Sequence, residues 1–246
     1  MAPSFPESLI SSLSNTVGTE NTLTDPYDLD RYSGDALSPS RAFSAENSFE
    51  RLADVVVRPA STTEVSTVLK LANEFQTPVI PYGGGTGVMG GTVPTAGGII
   101  LDLQRMNKII SINPTDMTAE VEAGVVLEDF ENILFDLGLM PGHDPYSVPI
   151  ATVAGTISTN GVGYRAGAHG TMGDQVVALE AVLPTGQIMR TRAVPNQSSG
   201  PSLIHLFIGS EGVFGVITKA SVRVFRLPES QIFQSVAFDT FEQGFN

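Results

Sequence analysis

Apolar residues recur along this chain in two rhythms, and the changes of rhythm mark its elements. From Ala53 to Val57 the β-branched run ADVVV reads as a buried strand. Val65, Val68, Leu69, Ala72 and Phe75 then fall on one face at helical spacing. Ser61 and Glu64 precede them at capping-box spacing, and Pro78 closes the helix. PVIP, residues 78–81, is the next strand, so these segments predict a β-α-β unit with a right-handed crossover. GGIILDL reads as another buried strand, and NKIISI and MTAEVEA as short strands of alternating character. A second helix is predicted from Val126 to Leu137, with Leu127, Phe130, Leu134 and Leu137 on its apolar face. Glu128 and Asp129 suit its first turn and Gly138 its end.

Further on, ATVAGTISTNGVG, DQVVALEAVLPTGQIMRTR and GVITKASVRVF read as Gly-rich loops and strands, with a hairpin turn at Pro184-Thr185-Gly186. Residues 1 to 50 open with a short amphipathic stretch. The acidic, Ser/Pro-containing segment TDPYDLDRYSGDALSPS follows and is expected to cross the domain surface as an irregular strap. The expected fold is α+β, a domain over 51–228 with two lobes. A small β-α-β lobe spans about 51–115, and a larger, mostly antiparallel sheet lobe flanked by helices spans 116–228. No internal repeat is present.

Composition narrows the function. The chain has 246 residues, 41% hydrophobic and 16% charged, which is a globular profile. Its 25 glycines and 16 prolines favour short strands and close backbone–ligand contact over a helical bundle. Thirteen basic residues stand against 26 acidic ones, and the net charge of −13 repels phosphate backbones, so nucleic acid is not an expected partner. Backbone N–H groups can still bind an anion without basic side chains. With no cysteine, disulfides, thiolate nucleophiles, Cys-ligated metals and cysteinyl links to a cofactor are excluded. MAPSFPESLISSLS carries no basic n-region, and no stretch approaches a transmembrane segment. The expectation is a cytoplasmic protein, with peripheral association with a membrane left open.

The segment PYGGGTGVMGG carries the most chemistry. Six of the nine residues from Gly83 to Gly91 are glycine, directly after a strand. Without Cβ atoms the backbone can take positive φ, and successive N–H groups can line a nest for a pyrophosphate. Three other readings compete. Gly85, Gly87 and Gly90 satisfy GxGxxG, but the dinucleotide fingerprint needs a helix next, and here Pro94, Gly97, Gly98 and a strand follow. A P-loop needs GK[ST], which is missing. A purely structural turn would rarely need so many glycines.

The context resembles the FAD-linked oxidase superfamily typified by vanillyl-alcohol oxidase. Within it, the chain is most similar to the glycolate oxidase, D-lactate dehydrogenase and alkyl-dihydroxyacetonephosphate synthase branch. The resemblance runs from about Val56 to Glu229. It rests on RPASTTEVSTVLKLA, PYGGGTGVMGG, GGIILDLQRMNKI, AEVEAGV, the DP…ATVAGTISTNGVG block, LEAVLPTG and LFIGSEGVFGVITKASVRV, in the family's order.

The resemblance implies that Gly83, Gly84, Gly85, Thr86 and Gly87 wrap the pyrophosphate of FAD, flanked by Pro81 and Gly90. Thr152, Gly155, Thr156, Asn160, Gly161 and Gly163 would form a second wall, where small residues let a planar isoalloxazine lie close and hydroxyl and amide groups meet its polar edge. Asp144 and Pro145 open the stretch expected beside the ring system. Glu211, Gly212, Gly215, Val216 and Ile217 would meet the adenosine part. Singly, each Thr reads equally well as a strand or turn residue, while for Asn160 an αL turn and for Glu211 a surface carboxylate are the lesser alternatives. Many relatives attach FAD to a histidine in the glycine loop. This loop has no His, Cys or Tyr from Gly83 to Gly91, which implies non-covalent FAD, and Tyr82 reads as a packing residue.

His143, His169 and His205 are too scattered for a metal site, and none is expected. For His143 and His169 a loop or surface contact is the leading reading. His143 can still help bind substrate or tune the flavin, Arg165 can attract a substrate carboxylate, and His205 reads as packing inside LIHLFI. The resemblance implies oxidation of a small 2-hydroxy acid of the D-lactate or glycolate kind. A substrate-side base would come from a following cap domain, expected to start over 229–246, or from a partner subunit. No catalytic base can be named in this chain. The alternatives are a flavin-binding subunit that needs another chain and an inactive truncated module.

Overall fold

The computed structural model describes residues 5–36, 53–194 and 200–245. Its first sheet has four strands. β1 (Thr22–Leu23) pairs antiparallel with β2 (Val55–Val57), while β2 and β3 (Val79–Tyr82) both run parallel to β4 (Ile99–Asp102). The spatial order is β1-β2-β4-β3. The expected β-α-β unit is therefore present, but β4 is inserted between its two strands. All residues of β2 and β4 are buried, as expected for parallel strands covered on both faces.

Helix α3, counted after α1 (Glu7–Val17) and α2 (Pro26–Tyr32), covers Thr62–Glu74 and crosses from β2 to β3. The Ser61 hydroxyl accepts from the Glu64 N–H at 3.2 Å, and the Glu64 carboxylate accepts from the Ala60 N–H at 2.8 Å, so the capping box closes one residue early. Val65, Val68, Leu69 and Ala72 are buried.

The second sheet is antiparallel, in the order β5 (Ile109–Asn113), β6 (Thr118–Glu122), β10 (Val216–Arg226), β8 (Val176–Val182), β9 (Ile188–Arg190), with β7 (Leu139–Pro141) also on β10. The predicted hairpin joins β8 to β9, with Gly186 at φ +80°. In α4 (Leu127–Asp136), Leu127, Phe130 and Leu134 are buried. Leu137 lies past the helix end and is 54% exposed, so the apolar face is one residue shorter than expected.

One cluster of buried side chains runs from Leu9, Leu13 and Val17 of α1 through both sheets to Val224. Two buried polar contacts tie α3 to the second sheet. The Ser66 hydroxyl donates to the Gly186 carbonyl at 2.6 Å, and Thr62 donates to Glu180 at 2.6 Å.

Two expectations are corrected. The strap is not irregular over residues 26–32: Asp25 caps α2 by accepting the Tyr27 N–H at 2.9 Å, with Pro26 at the favoured first position. Its continuation through SPS lies outside the described residues. ATVAGTISTNGVG contains a helix, α5 (Val153–Thr159), where loops and strands were expected, because Thr152 accepts the Gly155 N–H at 3.3 Å as an N-cap. Among the described residues, no helix is long and apolar enough to cross a membrane.

Candidate cofactor site

The glycine loop leaves β3 at Tyr82 and is brought against three other segments. A Cβ on Gly83 would meet the Thr152 hydroxyl, one on Gly84 the Ile150 carbonyl, and one on Gly85 the Tyr82 hydroxyl. A Cβ on Gly91 would meet the Glu211 carboxylate, and one on Gly212 would come within 2.7 Å of the Pro81 ring. Gly85 and Gly90 adopt φ of +63° and +78°, which glycine reaches without steric cost. Gly83 through Gly87 remain partly exposed. The fold thus brings Pro81, the loop, the Ile150–Gly155 segment and the Glu211–Gly212 turn, up to 131 positions apart in sequence, into direct contact.

The Ile150–Gly155 segment is held from below. The N–H groups of Leu127 and Glu128, free at the start of α4, donate to the carbonyls of Ala151 (2.9 Å) and Val148 (3.1 Å). Ser147 accepts from Ala151 at 2.8 Å, and Pro145 from Val148 at 3.2 Å. Tyr146 and Ile150 are left exposed.

Several expected polar groups are already engaged. The Thr156 hydroxyl donates to the Val153 carbonyl at 2.9 Å. Asn160 ends α5 in the left-handed region (φ 49°), and its side-chain oxygen accepts the Gly173 N–H at 3.0 Å. Gly163 packs on the backbone of Asp144, where a Cβ would come within 2.6 Å of its nitrogen. Glu211 takes φ 49°, and its N–H donates to Ser158 at 2.9 Å. Gly215 is buried, and Val216 and Ile217 are 3% exposed with their side chains in the core, whereas the neighbouring Val213 and Phe214 are exposed. A ligand at this turn would meet those two rather than Val216 and Ile217.

Arg165 is not free for a substrate carboxylate. It pairs with Glu131 at 3.1 Å and Asp144 at 3.4 Å and donates to the Pro141 carbonyl at 3.1 Å. His205 is exposed and 2.8 Å from the Ser202 hydroxyl rather than packed, and His169 lies on the Phe225 ring at 3.9 Å. His143 is 2% exposed, and neither ring nitrogen has a hydrogen-bond partner. A Cβ on Gly161 would come within 3.0 Å of its ring. Burial pushes its pKa down, against the opposing charge of Asp144.

Sequence reasoning missed the support beneath the loop. Asp102, at the end of β4, is 2% exposed, accepts from the Tyr32 hydroxyl at 2.8 Å and the Gln104 N–H at 2.9 Å, and has a pKa raised by burial. Tyr32 meets Tyr82 edge to face at 5.0 Å. Burial and the Asp102 carboxylate push the Tyr32 hydroxyl up to about 12. No local sequence signal marks these pairs, which span 50 and 70 positions.

Cβ-free positions shape the cradle, and an unpartnered buried imidazole stands beside its second wall. Among the described residues no His, Cys, Asp and Glu are grouped to hold a metal. The class so defined is a two-sheet α+β domain with a glycine-rich loop packed against two distant segments. The family described as "FAD binding domain" matches residues 53–192, and the chain belongs to that family. It is similar to a D-lactate dehydrogenase of Archaeoglobus fulgidus, 40% identical over 88% of this chain and 48% of that protein. It is also similar to a glycolate oxidase subunit of Bacillus subtilis, 36% identical over 77% of this chain and 41% of the relative. Among solved structures, an alkyldihydroxyacetonephosphate synthase superimposes with a TM-score of 0.82 at 26% identity, covering 93% of this chain and 42% of that one. The chain thus spans less than half the length of these relatives.

Proposed function

We propose that this chain is the FAD-binding part of an oxidoreductase that oxidises a small 2-hydroxy acid, and that it holds FAD non-covalently. The observation that carries the reading is the convergence of the glycine loop on Thr152 and Glu211 in a member of the FAD binding domain family. Bound FAD supplies an acceptor for a hydride equivalent from a carbon–hydrogen bond. The residues assigned to the cofactor are Pro81, Gly83 to Gly87 and Gly90 at the pyrophosphate. Thr152, Gly155, Thr156, Asn160, Gly161, Gly163, Asp144 and Pro145 are assigned to the second wall, and Glu211, Gly212, Gly215, Val216 and Ile217 to the adenosine end. Because Thr156, Asn160, Val216 and Ile217 are committed to the fold, their part is to shape the wall, while backbone N–H groups supply the donors.

Non-covalent binding is supported by the loop's chemistry. It carries no His, Cys or Tyr from Gly83 to Gly91, and burial raises the pKa of the adjacent Tyr82 hydroxyl, which keeps it protonated. The 2-hydroxy acid is taken from the named activities of the two curated relatives. A second reading, a flavin-binding subunit that works with a further domain or chain, is favoured by the exposure of Ile232, Phe233, Phe241 and Phe245 at 80–92%.

The test is the absorbance spectrum of the purified chain, with added FAD, before and after acid precipitation. A flavin spectrum that moves to the supernatant is expected. Colour in the pellet overturns non-covalent binding, and a chain that takes up no FAD overturns the cofactor assignment. Reduction of the bound flavin by D-lactate or glycolate, alone or with a partner chain, separates the two readings.

A further inference from the structure

We propose that Asp35 is a positioning residue for the cofactor loop, and that residues 32–36 form a clamp that sets the loop's far half in its binding shape. The inference rests on the assignment of the glycine loop to FAD. The clamp residues themselves lie outside the 53–192 segment that matches the family.

The clamp contacts the loop at three places. The Asp35 carboxylate accepts the Gly90 N–H at 2.9 Å, the Ala36 N–H donates to the Gly87 carbonyl at 2.8 Å, and the Thr92 hydroxyl donates to the Gly34 carbonyl at 3.1 Å. Asp35 Oδ2 also lies 3.3 Å from the place of a Cβ on Gly87, so the clamp packs against the loop as well as bonding to it. The clamp is itself anchored. Tyr32 donates to buried Asp102, and the Ser33 hydroxyl accepts the Ala53 N–H at 3.0 Å. Tyr32 also packs on Tyr82, whose hydroxyl underlies Gly85. One short stretch therefore touches the loop's entry at Tyr82 and its exit at Thr92.

The loop needs such a tether. Six glycines in nine residues have much conformational freedom to lose, and that loss opposes binding unless it is met beforehand. Holding Gly87 and Gly90 from outside leaves the N–H groups nearer β3 for the pyrophosphate. Toward the expected anion the carboxylate's charge is unfavourable. For the Gly90 N–H, position 35 supplies an acceptor of the right length, and asparagine offers one without the charge.

The experiment measures FAD affinity by flavin fluorescence quenching for the wild-type chain, Asp35→Ala and Asp35→Asn, with thermal unfolding of each apo form. Loss of an acceptor for a loop N–H is expected to raise Kd about tenfold in Asp35→Ala. Unfolding should be essentially unchanged, and Asp35→Asn should bind at least as tightly as wild type. FMN, which lacks the pyrophosphate bridge to adenosine, should lose less affinity than FAD in Asp35→Ala. Hydrogen exchange over residues 83–92 should quicken in that variant, with the sheets unaffected. If Asp35→Ala folds poorly, Thr92→Val, which removes the Gly34 contact alone, should raise Kd about threefold. Wild-type affinity in both Asp35→Ala and Thr92→Val overturns the clamp, as does an Asp35→Asn loss equal to that of Asp35→Ala. A wild-type chain that binds no FAD overturns the cofactor assignment as well.

Discussion

The hydroxyl oxygen of Thr152 stands where a Cβ on Gly83 would have to go. The same oxygen accepts the Gly155 N–H and caps α5, so one atom fixes the start of that helix and the closeness of the glycine loop. Two Gly-rich motifs, 69 positions apart, are locked in register through this contact.

A mutant cycle follows from that geometry. Gly83→Ala should destabilise the chain by about 1–3 kcal/mol through overpacking. Thr152→Ala alone should cost about 1 kcal/mol for the lost cap. The double variant should cost less than the sum, because without the hydroxyl the nearest Thr152 atom to the new methyl is the Cβ at 3.6 Å, an ordinary contact. Urea denaturation of the four proteins checks this, and strict additivity would contradict the contact.

At Gly84 the obstacle is the Ile150 carbonyl, a backbone atom that no truncation removes. Gly84→Ala should therefore displace the loop and weaken FAD binding by more than about tenfold, an effect that truncating Ile150 to Ala does not rescue. Titration of the single and double variants with FAD decides it.

Glu180 is a buried carboxylate, 6% exposed. Burial opposes its ionisation, but the Thr62, Arg190 and Thr218 hydrogen bonds and the Lys219 charge outweigh that and hold its pKa below the ordinary 4.5. A lowered carboxylate pKa means stability present above 4.5 and lost as pH falls through the folded-state value. Glu180→Gln should cost about 1–3 kcal/mol at neutral pH and flatten the acid limb of the stability profile. Denaturation from pH 3 to 7 would show both.

His143 acts in the same direction by the opposite chemistry. Burial favours its neutral form, so the unfolded chain binds a proton that the folded chain refuses. Stability should fall as pH drops below about 6.5, the ordinary histidine value, and His143→Leu should remove that slope. Because neither ring nitrogen has a partner, the substitution should cost little in the apo chain, where a hydrogen-bonded histidine would cost about 1–3 kcal/mol. A large loss of apo stability would show that the ring is satisfied after all.

Tyr32→Phe removes the hydroxyl that Asp102 accepts from, leaving a buried carboxylate one donor short. The expected loss is about 1–3 kcal/mol, read by thermal or urea unfolding. Because burial already raises the Asp102 pKa, its charge weighs against folding above that pKa, and the loss should shrink as pH falls and the carboxyl protonates.

The elements that could be read in the sequence are those set by short-range forces. Capping at Ser61 and Glu64, alternation in TAEVE, the β-branched run of β2 and the turn at Gly186 depend on neighbours within a few positions. The glycine loop was legible for the same reason, since its composition states what the backbone must do. Leu137 fell outside its helix because periodicity does not mark the last hydrogen-bonded turn, and α5 was hidden because small residues and glycine mask helical spacing.

Only the tertiary structure decided which groups meet. It placed β4 between β2 and β3, gave Arg165 to Glu131 and Asp144, left His143 without a partner and turned Asp35 onto the glycine loop. Each of these contacts joins residues well separated in the chain, as Thr62 and Glu180 are at 118 positions. Such pairs leave no local pattern, because their energy is realised only once closing the long loop between them has been offset by the rest of the core. The sequence by itself determined the backbone's freedom at Gly83 to Gly91. The fold determined what holds that freedom in one shape.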